Sequence, residues 1–277
     1  MDTKQKLGPL MMLCASVCFA GGGAALKFIP WNALAINGAR NFIAMGIFGL
    51  YMLITKHKLK VNTTVLAGAA CSFGVTTLFV IANKLTTAGN AIILQFTCPV
   101  WIIILMFLFF HQKPDKFQIA TIFVVFAGIL CFFFDSISGG GFLGNVIAIL
   151  SGAFYAGVFM LNQFERGDAI SSLFLGQLIS GLLLSPLVLR ENDFSQPVIL
   201  AVLFLGVVQV GLAYLLFSYG TKYTHPVTAS LINGVEPILN PIIVAVMFGE
   251  VLSKMSLIGA FIVIGTVLIY NIFHKES

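Results

Sequence analysis

Ten apolar runs, each close to the length of a bilayer crossing, follow one another through nearly the whole chain. They fall at residues 9–26, 33–55, 65–82, 88–110, 117–134, 142–163, 170–189, 198–220, 226–248 and 256–273. A helix needs about 20 apolar residues to cross the hydrocarbon core. In lipid a spanning segment must satisfy its own backbone hydrogen bonds, so runs of this kind have to be helices. The segments between them, such as KHKLKVN, HQKPDK, FERGD and RENDFSQ, are short and polar. The pattern predicts an all-α integral membrane protein with ten transmembrane helices.

Charge agrees with this reading. Only 9% of the residues are charged and 59% are hydrophobic, whereas a soluble domain carries about 25% charge. The formal charge of +5 does not indicate a nucleic-acid partner, because the lysines sit in short loops where they orient membrane helices. The lipid bilayer is the expected surrounding. With the N-terminus in the cytoplasm, the inner side holds Lys4, Lys6, Lys56, Lys58, Lys60, Lys113, Lys116, Arg166, Lys222 and Lys275. The outer side holds Lys27, Lys84, Arg190 and Lys254. This bias, strong in the first half and weaker in the second, predicts a multi-pass cell-membrane protein with both termini cytoplasmic. Cys14, Cys18, Cys71, Cys98 and Cys131 all lie in apolar runs and read as packing residues rather than a disulfide framework. No metal site and no cofactor is expected. The first run imitates a signal peptide, but it continues to Leu26 and has a partner later in the chain, so it reads as a retained helix.

The chain also repeats itself. The stretch ASLINGVEPILNPIIVAVMFGE (229–250) has a weaker copy, AIILQFTCPVWIIILMFLFFHQ (91–112). In this register Ala91 matches Ala229, Pro99 matches Pro237 and Gln112 matches Glu250. Leu85-Thr86 precedes the first copy as Tyr223-Thr224 precedes the second, and Ser16, Phe19 and Gly22 match Ser151, Phe154 and Gly157. The predicted halves are residues 1–136 and 137–277, with five helices each. Five is odd, so the second half enters the membrane from the opposite side. That is an inverted-topology repeat, a transporter plan with the substrate site near midplane between the halves.

Glu236 lies at the middle of the ninth run. A carboxylate at that depth needs a polar cavity or a partner. Asn233, Glu236 and Asn240 fall at i, i+3 and i+7 and form one polar stripe. The matching first-half positions are Gln95, Cys98 and Ile102, without the charge. Two readings stand: Glu236 binds a proton or substrate, or it is a structural acid bonded to a neighbouring helix. Pro237, Pro241 and Pro99 cannot donate to the carbonyls four residues back. Those carbonyls either serve a ligand or gate, or mark a static kink. Arg40, about 10 Å into the second helix, either snorkels to the outer interface or meets a substrate carboxylate. Gln209 and Tyr214 in the eighth run, and Ser72, Thr76 and Thr77 in the third, are further polar candidates for a cavity wall. Trp101, Phe19, Phe154 and Tyr155 are aromatic candidates, weighed against simple packing. Gly21-Gly22-Gly23 either packs helices closely or flexes as an outer gate.

The run LINGVEPILNPIIVAVMFGEVLSKMSLIGAFIVIGTVLI, its degenerate first copy, Lys27, and Arg40 within NGARNFIA resemble the drug/metabolite transporter superfamily, specifically its ten-helix EamA-type carriers. The resemblance spans the chain. It implies the ten-helix fold and carriage of amino acids, metabolites or drugs, mostly outward. In the family a proline late in helices four and nine is followed by a glycine-glutamate pair. The second half keeps Gly249-Glu250, while the first has His111-Gln112, so the acid has no counterpart there.

The sequence holds no HExxH, GxSxG or Walker loop, and an enzyme is not expected. The expected function is secondary transport, with export of a small organic metabolite, an amino acid or an amphiphilic drug, by alternating access. Proton coupling at Glu236 is part of that expectation. The alternatives are a membrane scaffold or sensor without transport, and a lipid flippase. A cavity between the halves separates transport from scaffolding.

Overall fold

The computed structural model describes residues 3–113, 115–139, 141–249 and 252–273. Glu250 and Lys275 lie outside these. The described chain is helical, and ten helices follow the ten apolar runs. They are α1 (Thr3–Ala20 and Gly22–Phe28), α2 (Ala33–Thr55), α3 (Thr63–Leu85), α4 (Ala88–Gln95 and Cys98–Phe110) and α5 (Lys116–Gly139). The second five are α6 (Phe142–Phe159), α7 (Ala169–Leu184, tightening to a 3-10 turn at Ser185–Arg190), α8 (Gln196–Phe204, Leu205–Leu212 and Ala213–Tyr223), α9 (Pro226–Ile232 and Val235–Phe248) and α10 (Lys254–Phe273). Among the described residues, eight of these are long and apolar enough to cross a membrane. The other two, α5 and α10, carry shorter apolar stretches, Ile119–Cys131 and Lys254–Thr266.

Helix starts follow local chemistry. Asn32, Asn62, Thr87 and Asp168 each precede a helix and accept a backbone N–H of its first turn, from Leu34, Val65, Asn90 and Ser171 respectively. Two equivalent helix ends need a left-handed residue. α4 closes on His111 at φ 54° and α9 on Gly249 at φ 65°. The glycine of the glycine-glutamate pair is thus a helix stop, and His111 fills the same conformation in the first half.

The packing carries the repeat. α3 packs on α6 as α8 packs on α1, α4 on α6 as α9 on α1, and α3 on α7 as α8 on α2. The remaining contacts of this kind, α2 with α7, α4 with α9 and α5 with α10, map onto themselves when the halves are exchanged. A two-fold axis lying in the membrane plane produces this pattern. Close approaches are duplicated as well. A Cβ on Gly8 of α1 lies 2.8 Å from Thr224 Oγ1, and one on Gly144 of α6 lies 2.9 Å from Thr86 Cβ. At both places a glycine lets a helix start slide against the end of its neighbour.

Loops tie the halves on both faces. On one, Asp168 Oδ2 accepts from His57 Nε2 at 2.9 Å, and Ser171 Oγ accepts from the Lys60 N–H at 3.0 Å. On the other, Trp31 Nε1 donates to the Asp193 carbonyl at 2.7 Å, and the Asn32 N–H donates to Glu191 Oε1 at 2.9 Å.

Candidate functional site

The site forms where helices are interrupted. α4 breaks at Phe96-Thr97 and α9 at Asn233-Gly234, each just ahead of the paired proline. The interruption is larger than a kink. Pro99 and Pro237 lie in the first turn of the second helical piece, where a missing N–H is no loss. The Asn233 carbonyl is not left open, because it accepts the Glu236 N–H at 3.0 Å. α1 also breaks, at Gly21, and α8 carries a π-helical segment at Leu205–Leu212. π segments re-aim side chains and recur at functional sites, and Gln209 lies within this one.

These interruptions face one cavity between the halves. It is lined by Phe19, Arg40, Val75, Thr76, Phe79, Gln95, Tyr155, Gln209, Val210, Tyr214 and Glu236. Its volume is about 20 Å³, enough for a single water. Glu236 sits in the first turn of the second piece of α9, where the helix dipole favours an anion. Asn233 Nδ2 donates to Glu236 Oε2 at 3.0 Å and lies 3.2 Å from the Tyr155 hydroxyl. The Ser16 hydroxyl lies 3.0 Å from Asn233 Oδ1. In the first half, Gln95 Nε2 donates to the Ser151 hydroxyl at 2.7 Å. Each broken helix therefore has its amide side chain held by a serine of the helix that opens one half. Cys98 stands where the second half has Glu236.

The cavity wall also carries a cation. Arg40 is 1% exposed, so it does not snorkel to the interface. Its guanidinium spends its donors inward, on Asn37 Oδ1 at 3.1 and 3.2 Å, the Thr76 carbonyl at 2.8 Å and Gln209 Oε1 at 3.1 Å. Asn37 is positioned in turn by donating to Thr77 Oγ1 at 3.0 Å and accepting from Asn41 at 2.9 Å. Among the described residues, no carboxylate lies within 4 Å of Arg40 and no cation within 4 Å of Glu236. Phe19 meets Tyr214 edge-on, with ring centroids 5.0 Å apart, and completes the apolar side.

Of the residues singled out from the sequence, Glu236, Gln95, Gln209, Tyr214 and Arg40 line the cavity together with Thr76, Phe19 and Tyr155, and Asn233 lies behind Glu236. Asn240 is elsewhere. It is buried against Gly23 of α1, and neither amide atom has a hydrogen-bond partner among the described residues. The polar stripe is not one continuous helical face, because the chain turns at Asn233-Gly234 before Val235 begins a new helix. Trp101 is half-buried against the core and does not line the cavity. Asn37 went unnoticed, though its spacing of three from Arg40 is a readable signal. Among the described residues, no group of three or more metal-ligating side chains is present.

Comparison with known proteins fits this architecture. The model of the EamA-like transporter family matches twice, at residues 6–134 and 142–272. An uncharacterized transporter of Archaeoglobus fulgidus is 28% identical over 269 residues, covering 95% of this chain and 96% of its own. A protein solved by crystallography superposes over 99% of this chain and 100% of its own with a TM-score of 0.70. Its identity is 16%, so the likeness is one of fold alone. With both halves matched in turn, the chain belongs to the EamA-like transporter family, within the drug/metabolite transporter superfamily.

Proposed function

We propose that this membrane transporter carries a small organic metabolite outward across the cell membrane by alternating access, coupled to protons at Glu236. The observation that carries the reading is Glu236 itself. It is a buried carboxylate on the cavity between the halves, held by an amide and a helix N-terminus, with no cation within ion-pair distance among the described residues. An intramembrane acid facing a cavity is functional by default. Arg40 and Gln209 line the same cavity, and Gln95 and Tyr214 complete the polar surface. A substrate with an anionic and a cationic group, such as an amino acid, suits one wall bearing a guanidinium and another bearing a carboxylate.

The two halves, 1–136 and 137–277, rock about the two-fold axis in this reading. The cavity is too small for a metabolite, and loops tie the halves on both faces, so the arrangement corresponds to a closed intermediate. Opening toward the cytoplasm, the side assigned to both termini, breaks the His57–Asp168 contact. Opening outward breaks the Trp31–Asp193 contact.

The test begins with a thermal-shift screen of amino acids, nucleosides, amines and drug-like amphiphiles on purified protein. A stabilising compound is then followed in proteoliposomes under an imposed pH gradient. Glu236→Gln is expected to fold and still exchange substrate across the membrane, but to lose accumulation driven by the gradient. Unchanged gradient-driven accumulation in that variant refutes coupling at Glu236.

A further inference from the structure

A second and larger cavity lies away from the central one. It measures about 590 Å³ and opens between α3, α4 and α6, within the size range of small-molecule sites. Its walls are Ala67, Leu105, Phe109, Phe154, Met160 and Phe164, with Thr63 and Thr64 at one end. Thr63 begins α3, and the lining reaches Cys71 on the same helix. At helical rise that is a depth of roughly 12 Å, under half of the ~30 Å hydrocarbon core. On α6 the lining runs from Leu150, at the middle of that helix, past its end to Phe164, so the cavity reaches from about midplane to one membrane face. It is open on the lipid side, since Ala67 is exposed and Phe109 is 60% exposed. An apolar space of this kind does not hold water, and left empty its walls lose their dispersion contacts.

The mouth of the cavity is basic. Lys56, Lys58 and Lys60 precede Thr63, Lys113 and Lys116 follow the end of α4, and Arg166 follows Phe164. All six are exposed. Asn62 Nδ2 donates to the Arg166 carbonyl at 3.0 Å, which fixes Arg166 beside the start of α3. The acids in these segments are Asp115, Glu165 and Asp168. Asp168 is engaged by His57 at 2.9 Å and lies 4.0 Å from Lys60. The balance at the rim is positive.

From this geometry we propose that the cavity holds one acyl chain of an anionic phospholipid of the cytoplasmic leaflet, whose phosphate sits at the rim with Arg166 and the lysines of the loop from Lys56 to Lys60. The proposal uses the cytoplasmic assignment of this face but is independent of which substrate the central cavity carries. Each rim cation near a membrane surface contributes about 1 kcal/mol toward an anionic lipid, equivalent to about fivefold in retention.

Native mass spectrometry tests it on the full-length protein, purified in detergent and equilibrated with equal amounts of phosphatidylglycerol and phosphatidylcholine. The wild type is expected to retain phosphatidylglycerol in preference. Ala67→Phe, which places a ring in the cavity, is expected to lose most of it. Arg166→Gln combined with Lys58→Gln is expected to keep a lipid but lose the preference for phosphatidylglycerol. Should Ala67→Phe not give a monodisperse protein, Ala153→Leu occupies the same cavity and carries the same expectation. The proposal is overturned by no retained lipid, by retention blind to the headgroup in the wild type, by a bound detergent molecule in place of lipid, or by undiminished retention in the cavity-filling variant.

Discussion

The contact of Gly152 with the break in α4 gives a measurable steric consequence. A Cβ at Gly152 lies 2.7 Å from the Gln95 carbonyl oxygen, 3.0 Å from Thr97 Oγ1 and 3.4 Å from the Gln95 carbonyl carbon. The nearest is a backbone oxygen, which cannot yield as the end of a flexible side chain would. Relative to ordinary contact the first distance is short by about 0.7 Å, and overpacking of this kind costs about 1–3 kcal/mol. Gly→Ala within a helix also has a favourable side of up to about 1 kcal/mol. Gly46 isolates that side, because it is exposed on α2 with nothing within 4 Å of its Cβ. Gly46→Ala is expected to raise the midpoint of thermal unfolding slightly. Gly152→Ala shares the gain but adds the overlap, so it should fall below Gly46→Ala by about 1–3 kcal/mol. At about 2–4 °C per kcal/mol for a chain of this size, the separation is roughly 2–12 °C. Differential scanning fluorimetry of both variants in one detergent reads it directly. Because the displaced atoms belong to the break that presents Gln95 to the central cavity, transport by Gly152→Ala should also fall while Gly46→Ala keeps it. Two variants with the same midpoint and the same transport refute the packing argument.

Further expectations rest on single contacts. Asp168 caps α7 through Ser171 and accepts from His57. Burial pushes its carboxyl up, but the hydrogen bonds from Ser171 and His57 outweigh that and hold it below its ordinary value. Its contribution is therefore complete above the unfolded carboxylate value of about 4 and is lost as pH falls through the lower folded value. Asp168→Ala should cost about 1–2 kcal/mol, with the midpoint difference from wild type present at neutral pH and closing in acid. Asp168→Asn should retain most of the capping at neutral pH, and equal losses in the two variants contradict the cap. Ser16→Ala and Ser151→Ala each remove one hydroxyl that holds the amide of a broken helix, and each should cost about 1–3 kcal/mol in scanning fluorimetry. A large loss from one alone contradicts their equivalence. Arg40→Lys should destabilise by a similar amount, since an ammonium cannot reproduce a planar fork that reaches Asn37, Thr76 and Gln209 together. An unchanged midpoint there means the guanidinium contacts contribute little.

Residues show why the sequence revealed part of this site and hid the rest. The ten helices were readable because apolar length in lipid leaves the backbone no other option. The equivalence of Ser16 with Ser151 and of Asn233 with Gln95 was readable as repeat register, and the structure joins Ser16 to Asn233 and Ser151 to Gln95 by hydrogen bonds. Arg40 was not readable in the same way. Its depth along α2 allowed snorkelling, and the outcome depends on acceptors supplied by α3 and α8, far away in the chain. The π segment that carries Gln209 has no local sequence signature. Asn240 misled because a stripe drawn at helical spacing assumes a continuous helix, and the chain turns at Asn233-Gly234 instead.

The two halves agree in some features and differ in others, and the division has a physical sense. Shared features are the helix breaks, the serine-amide bonds, the glycines at helix ends and the duplicated packing between helices. In the proposed alternating-access reading, such a frame makes exchange of two conformations inexpensive, because the interactions that break on one face resemble those that form on the other. A ligand on the axis has no two-fold of its own, so the groups that recognise it must break the repeat. Glu236 opposite Cys98 breaks it most sharply. The Arg40 wall does so as well, since the matching stretch of α7 carries Leu175, Gly176 and Gln177 and no cation. In the reading proposed above, both departures serve recognition of a substrate.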